Sequence, residues 1–244
     1  MKHKTYQLTI LTCLLMAVYA NEAFTGFQDF LKGAMKSLGL EQGLTEGEIV
    51  DGLKQALEIG TEKAVKLVSK KNGYLKNPKI RIPLPENVQK AESVLRNLGF
   101  GRKVDEFEKS MNRAAERAAP KATNIFWDAI KKMNFSDARE ILDGPDDAAT
   151  RYFKDKTSGR LHEAFKPIVN RSMSEVGVTQ AYQSVDRTIR SLPYAKSLSF
   201  DLDKYVTDNA LDGLFLMLAE EEKKIREDPA ARVTDLLKKV FAKE

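Results

Sequence analysis

Apolar residues recur three and four positions apart along most of this chain, the period of a helix with one buried face. Val104, Phe107, Met111, Ala114, Ala115 and Ala118 make one such stripe, and Ala122, Ile125, Phe126, Ala129, Ile130 and Met133 make the next. Pro120 stands between them, at a helix start where a missing N–H costs nothing. Upstream, Ile49, Leu53, Ala56, Leu57, Ala64, Val65 and Val68 form a longer stripe with Gly60 inside it. Asn134 and Asp137 predict a capped short helix through Leu142, and Gly144-Pro145-Asp146-Asp147 stops it and opens another that carries Ala148, Ala149, Tyr152 and Phe153. Thr157-Ser158-Gly159 predicts a break, followed by a helix bearing Leu161, Phe165 and Ile168 that Pro167 should kink and Gly177 should end. Ala181, Val185 and Ile189 make a further stripe before Pro193. Asp201 reads as the N-cap of a long helix to about Glu227, apolar nearly all round from Ala210 to Ala219. That half should run through the middle of the fold. Asp228-Pro229 caps a last helix with Val233, Leu236, Leu237, Val240 and Phe241.

One stretch breaks the period. From Gly73 to Pro85 there are three prolines, and Ile80, Ile82 and Leu84 alternate with Lys79, Arg81 and Pro83. This predicts an extended segment whose aliphatics lie on the helices and whose cations face water, while Pro83 and Pro85 forbid a central strand. No repeat and no linker-like composition divides the chain further. The fold class is therefore all-α, a single-domain multi-helix bundle over 44–244 with one extended proline-rich segment at about 73–85.

The front of the chain is different. Met1-Lys2-His3-Lys4 is basic, Leu8 to Val18 is apolar apart from Thr9, Thr12 and Cys13, and Val18-Tyr19-Ala20 fits a peptidase site, so residues 1–20 read as a signal peptide cut after Ala20. The apolar run is too short to span a bilayer, which takes about 20 residues. Acylation at Cys13 is disfavoured by Thr12 before it and by the apolar run that continues past it. Removing the leader takes two lysines and the single cysteine, and the formal charge falls from +5 to +3. Lysines alternate with glutamates in the remainder, so the dense basic face of a nucleic-acid binder is missing. Residues 21–43 form an amphipathic helix and connector, and Phe24 to Leu38 could rest on a membrane surface with Lys32 and Lys36 towards the head groups.

Catalytic patterns are sparse. After cleavage His162 is the one remaining histidine, and there is no Gly-x-Ser-x-Gly elbow, phosphate loop or His-Glu-x-x-His. No cofactor and no metal is expected. Asp201 and Asp203 are explained by the start of the long helix, but Asp212 falls in its apolar half and calls for a partner, Arg113 or Lys79, ahead of a metal ion. Gly213 and Gly60, inside helices, each cost about 1 kcal/mol relative to alanine, which close approach of a neighbour would offset, or a cleft floor.

Asn77-Pro78-Lys79-Ile80, continuing into Arg81-Ile82-Pro83-Leu84-Pro85, and Asp212-Gly213-Leu214-Phe215 resemble the two signature stretches of a bacterial family known as Domain of Unknown Function 4197. Gly60 to Val65, Ser110 to Glu116, Asp146 to Thr150 and Pro229 to Arg232 resemble the same pattern, so the likeness runs from about Leu44 to the C-terminus. The resemblance implies an exported helical protein of Gram-negative bacteria and supplies no activity. The expectation is a non-catalytic binding or structural protein of the cell envelope, located in the periplasm, with an unknown envelope protein as partner. The alternative is a carrier or sensor of an apolar ligand such as a fatty acid or phospholipid, held between helices. Tyr74, Asn77, Lys79, Arg81, Arg113, Asp212, Gly213 and Phe215 are the candidates for contact with a ligand or partner.

Overall fold

Apolar stripes at helical spacing become helices once they find one another, and seven α-helices stand among the residues described by the computed structural model, 45–175 and 201–227. In chain order they are α1 (Glu46–Ser69), α2 (Glu86–Leu95), α3 (Gly101–Ala118), α4 (Ala122–Lys132), α5 (Phe135–Leu142), α6 (Ala148–Glu175) and α7 (Leu202–Glu227). There is no strand among the described residues, so the all-α expectation holds. The chain separates into two compact units, Met1–Thr45 and Glu46–Glu244, and the seven helices belong to the second. The leader, the front helix at Phe24 to Leu38, the stripe from Ala181 to Ile189 and the last helix lie outside the described residues. No described helix is long and apolar enough to cross a membrane.

α7 is the organising element, packing on α6, α1 and α3, while α6 also packs along α3 and α4. Leu214 and Phe215 of α7 are buried, and Phe126 of α4 lies between Phe215 and Phe153 of α6, with ring centroids 6.2 and 5.0 Å away. Each such ring contributes about 1.5–3 kcal/mol by leaving water. The expectation that α7 is enclosed from Ala210 to Ala219 needs correcting, because Asp212 and Leu216 face outward one turn apart.

Caps follow the sequence closely. Asn134 and Asp137 exchange side-chain bonds with each other's backbone N–H at 2.8 and 3.0 Å, a complete capping box for α5. Asp201 accepts from the N–H of Lys204 at 2.8 Å and starts α7. The break expected at Thr157-Ser158-Gly159 does not occur; α6 runs through it and past Pro167 to Glu175. The Thr157 and Ser158 hydroxyls donate to the Phe153 and Lys154 carbonyls one turn back, each at 2.5 Å, so both sit inside the helix without a competing turn. α2 forms where the apolar spacing made no assignment, and a wide turn at Arg96–Phe100 joins it to α3.

Candidate functional site

α1 stops because Asn72 takes a left-handed φ of 71° and Gly73 comes too close to the last turn for any side chain. A Cβ on Gly73 would lie 2.4 Å from the Val68 carbonyl oxygen. The chain then winds through turns. The N–H of Asn77 reaches the Tyr74 carbonyl at 3.0 Å, and those of Ile80 and Arg81 reach the Asn77 carbonyl at 3.2 and 2.9 Å. The Asn77 side chain accepts from the N–H of Lys79 at 3.1 Å, which fixes Pro78 in a tight Asx turn. Residues 73–76 and 78–80 are therefore turns rather than the extended chain expected there, and Asn77 and 81–85 lie outside turn and helix. The alternation nevertheless holds: Ile80, Ile82 and Leu84 are buried, and Lys79 and Arg81 are exposed.

An irregular segment must find partners for its backbone elsewhere. α3 supplies two of them. The Glu116 carboxylate, buried, accepts from the N–H groups of Tyr74 and Leu75 at 3.2 and 3.3 Å and from Arg113, whose other nitrogen donates to Asn72 at 2.6 Å. One turn earlier the Asn112 amide accepts from the Ile82 N–H and donates to the Ile82 carbonyl, both at 2.9 Å, making the pair of bonds a neighbouring strand would make. On the other side the Tyr74 hydroxyl donates to the Ala210 carbonyl of α7 at 2.6 Å. Gly213 lies directly under this ring. A Cβ there would meet Tyr74 Cε1 at 2.8 Å and Ile80 Cβ at 3.0 Å. The stretches at 77–85 and 212–215 are thus two sides of one contact, and close approach, not a cleft floor, explains Gly213. Gly60 differs, since a Cβ would meet only Ile225 Cδ1 at an ordinary 3.5 Å.

Burial, and after it the Glu116 carboxylate, push the Tyr74 phenol well above its usual range. A group whose folded pKa is raised contributes stability below its unfolded pKa and loses it above. Stability should therefore fall above about pH 10, approaching 1.4 kcal/mol per pH unit for this one group. Tyr152 and Tyr205 are raised by burial too and add to the slope. Tyr74→Phe should cost about 1 kcal/mol at neutral pH and make the alkaline decline shallower; urea unfolding at neutral and alkaline pH reads both. An unchanged decline would mean that the hydroxyl is not held protonated in the fold.

Lys79 meets Glu220 at 2.5 Å and Arg81 meets Glu108 through two bonds at 2.6 and 2.7 Å, the cations exposed and the carboxylates half-buried. Asn77 Nδ2 approaches Met217 Sδ at 3.5 Å. Phe215 belongs to the ring cluster with Phe126. Asp212 is not the buried carboxylate expected; it faces solvent, and both cations proposed for it are engaged elsewhere. His162 is half-buried, 3.4 Å from Asp208, whose carboxylate also takes Lys204 at 2.5 Å. Among the described residues no three His, Cys, Asp or Glu side chains gather as metal ligands would. The gap between Leu53, Ala56, Gly60, Ile141 and Ile225 holds about 20 Å³, room for one water rather than an acyl chain.

A second buried polar cluster escaped the residue pattern. Glu222 of α7 accepts from the N–H groups of Ala149 and Thr150 and from the Thr150 hydroxyl, at 2.9, 2.9 and 2.8 Å, which caps α6 from a neighbouring helix. Arg226, 3.0 Å from Glu222, donates to the Ile141 carbonyl at 2.6 Å at the end of α5. The available signal was position: Glu222 falls on the stripe that Phe215, Leu218 and Ile225 define, as Glu116 and Asn112 border the stripe of α3. A charge on an apolar stripe marks a buried partner.

Comparison with curated proteins and with solved structures finds no match. A family model does match, over residues 43–242, nearly the whole of the chain beyond the leader-like and front segments. Both stretches that meet at Tyr74 and Gly213 lie inside that span, and the chain belongs to the family described as Protein of unknown function (DUF4197).

Proposed function

We propose that this is an exported, non-catalytic helical protein of the bacterial cell envelope that acts by holding a partner on its surface. The observation that carries the reading is how the buried carboxylates are used. Glu116 and Glu222 bond to backbone N–H groups at 2.9–3.3 Å, and Glu221 pairs with Lys224 at 2.5 Å. A carboxylate saturated by fixed donors is a structural cap; a general acid or base needs an open face towards a substrate. The leader pattern over 1–20 supports export, and the surface beside α7 and α3 presents the partner two exposed ion pairs, Lys79 with Glu220 and Arg81 with Glu108.

The test is made in the native host. The mature protein should begin at Asn21 and fractionate with the periplasm. Crosslinking in intact cells should yield a discrete adduct that Lys79→Glu with Arg81→Glu abolishes while the fold survives, since exposed pairs of this kind contribute only about 0–1 kcal/mol each. A chain that keeps Met1 and stays in the cytosol would overturn export, and an undiminished adduct would overturn the surface.

A further inference from the structure

A hydroxyl inside a helix often donates to the carbonyl one turn back, as those of Ser110, Thr157 and Ser174 do here. Ser172 of α6 departs from this. It is only 5% exposed, yet its hydroxyl finds no partner among the described residues. It lines a surface groove of about 600 Å³ between the second half of α6 and the junction of α3 with α4, a volume in the range of small-molecule sites. A buried hydroxyl left without a bond costs stability, so an occupant that bonds to it is favoured.

The floor of the groove is apolar. Ala164, Pro167 and Ile168 of α6 form it, and the small side chain of Ala164 leaves it open. The walls are cationic. Arg117 at the end of α3, Lys121 in the single turn Ala119–Lys121, and Arg171 of α6 stand against one carboxylate, Glu175. Arg117 takes that carboxylate at 3.1 Å. Among the described residues Lys121 and Arg171 have no carboxylate within ion-pair distance. Acids on the surrounding elements are committed elsewhere: Glu116 to Arg113 and the Tyr74 N–H, Asp128 to Arg160 at 2.7 Å, and Asp203 to Asn170 at 2.6 Å. Glu163 and Asp203 line the next depression along α6, beside His162. Two uncompensated positive charges and one unpartnered hydroxyl therefore border an apolar floor.

That set of groups selects among anions. A carboxylate brings one charge and two oxygens, and would leave a cation unmatched. A phosphate monoester carries close to two negative charges at neutral pH and three acceptor oxygens. The Arg171 fork, the Lys121 ammonium and the Ser172 hydroxyl supply three kinds of donor for those oxygens, and the organic group of the ester has the floor to lie on. We propose that this groove binds a small phosphate monoester with an apolar organic group. It is separate from the surface around Lys79 and Arg81 and does not depend on what that surface holds.

The test is a titration of the isotopically labelled mature protein with hexyl phosphate, followed by nuclear magnetic resonance at low salt. Binding should saturate at one site, with amide shifts concentrated at 117–121 and 164–175. Hexyl phosphate should bind about tenfold more tightly than hexanoate, which lacks the second charge, and about tenfold more tightly than inorganic phosphate, which lacks the apolar group. Lys121→Gln with Arg171→Gln should weaken it at least about tenfold, and Ser172→Ala about threefold to tenfold. Ala164→Phe should fill the floor and remove the advantage over inorganic phosphate. Lys79→Glu with Arg81→Glu should leave the affinity unchanged. A circular-dichroism melt shared with the parent protein certifies each variant. Absence of saturable binding, equal affinity for hexanoate, or undiminished affinity in the Lys121/Arg171 variant would overturn the proposal. So would shifts centred on Lys79 and Arg81, because the anion would then sit on the other surface.

Discussion

Gly213→Ala is expected to destabilise the protein by about 2 kcal/mol, whereas Gly60→Ala should stabilise it by about 0.5–1 kcal/mol, although both glycines lie inside long helices. On helix propensity alone both substitutions gain. The difference lies in what the new methyl meets. At position 213 it would press on Tyr74 Cε1 at 2.8 Å and Ile80 Cβ at 3.0 Å. Neither can yield: the Tyr74 ring is fully buried and tied by its hydroxyl to Ala210, and Ile80 is held by the turn closed on Asn77. The overpacking term of about 1–3 kcal/mol therefore exceeds the propensity gain. At position 60 the methyl meets a flexible Ile225 Cδ1 at 3.5 Å beside a small gap, and propensity prevails. For a domain of this size each kcal/mol moves the melting midpoint by about 2–4 °C, so circular-dichroism melts separate the two variants. Equal signs for both would remove close packing of the segment as the reason for Gly213.

The contact beneath Gly213 also shows where sequence patterns carry information and where they stop. Local rules worked where the cause is local: the Asn134 and Asp137 box, the Asp201 cap and the apolar stripes of α1, α3 and α4 depend on residues three or four apart. The expected break at Thr157 failed because propensity is a weak prior, and burial of Phe153, Leu161 and Phe165 on one face of α6 outweighs a single exposed glycine at 159. Asp212 misled for a related reason. Its neighbours Leu211, Leu214 and Phe215 are buried, but a helix has a full circumference and position 212 falls on the narrow outer strip with Leu216. Glu116 and Glu222 stayed illegible as caps because each serves a backbone end that is distant along the chain, 42 and 73 residues away. The pattern marks such a carboxylate as out of place without naming what it holds.

Glu222→Ala should be the most damaging single change, costing about 3–5 kcal/mol. The reason begins at the turn between α5 and α6. The first N–H groups of α6 have no intrahelical acceptor and the last carbonyls of α5 have no donor. The local side chain placed to help, Asp147, is 2.9 Å from Arg151 instead. Glu222 and Arg226, one turn apart on α7, serve both ends at once: the carboxylate lies at the positive end of α6 and the guanidinium at the negative end of α5. Removing the carboxylate uncaps α6 and leaves Arg226 in a largely buried site without the charge it lies against. Glu222→Gln should cost less, because one oxygen can still accept while the amide faces donors. The decisive comparison is a double-mutant cycle with Arg226→Met. If the pair acts as one device, the double variant should be no less stable than Glu222→Ala alone, a coupling well beyond the few tenths of a kcal/mol expected of independent sites. Hydrogen exchange gives a local readout: in Glu222→Ala the amides of Ala149 and Thr150 should lose protection before the rest of α6. Additive losses, or unchanged exchange at those two amides, would show that α6 is capped by something other than the long helix lying across it.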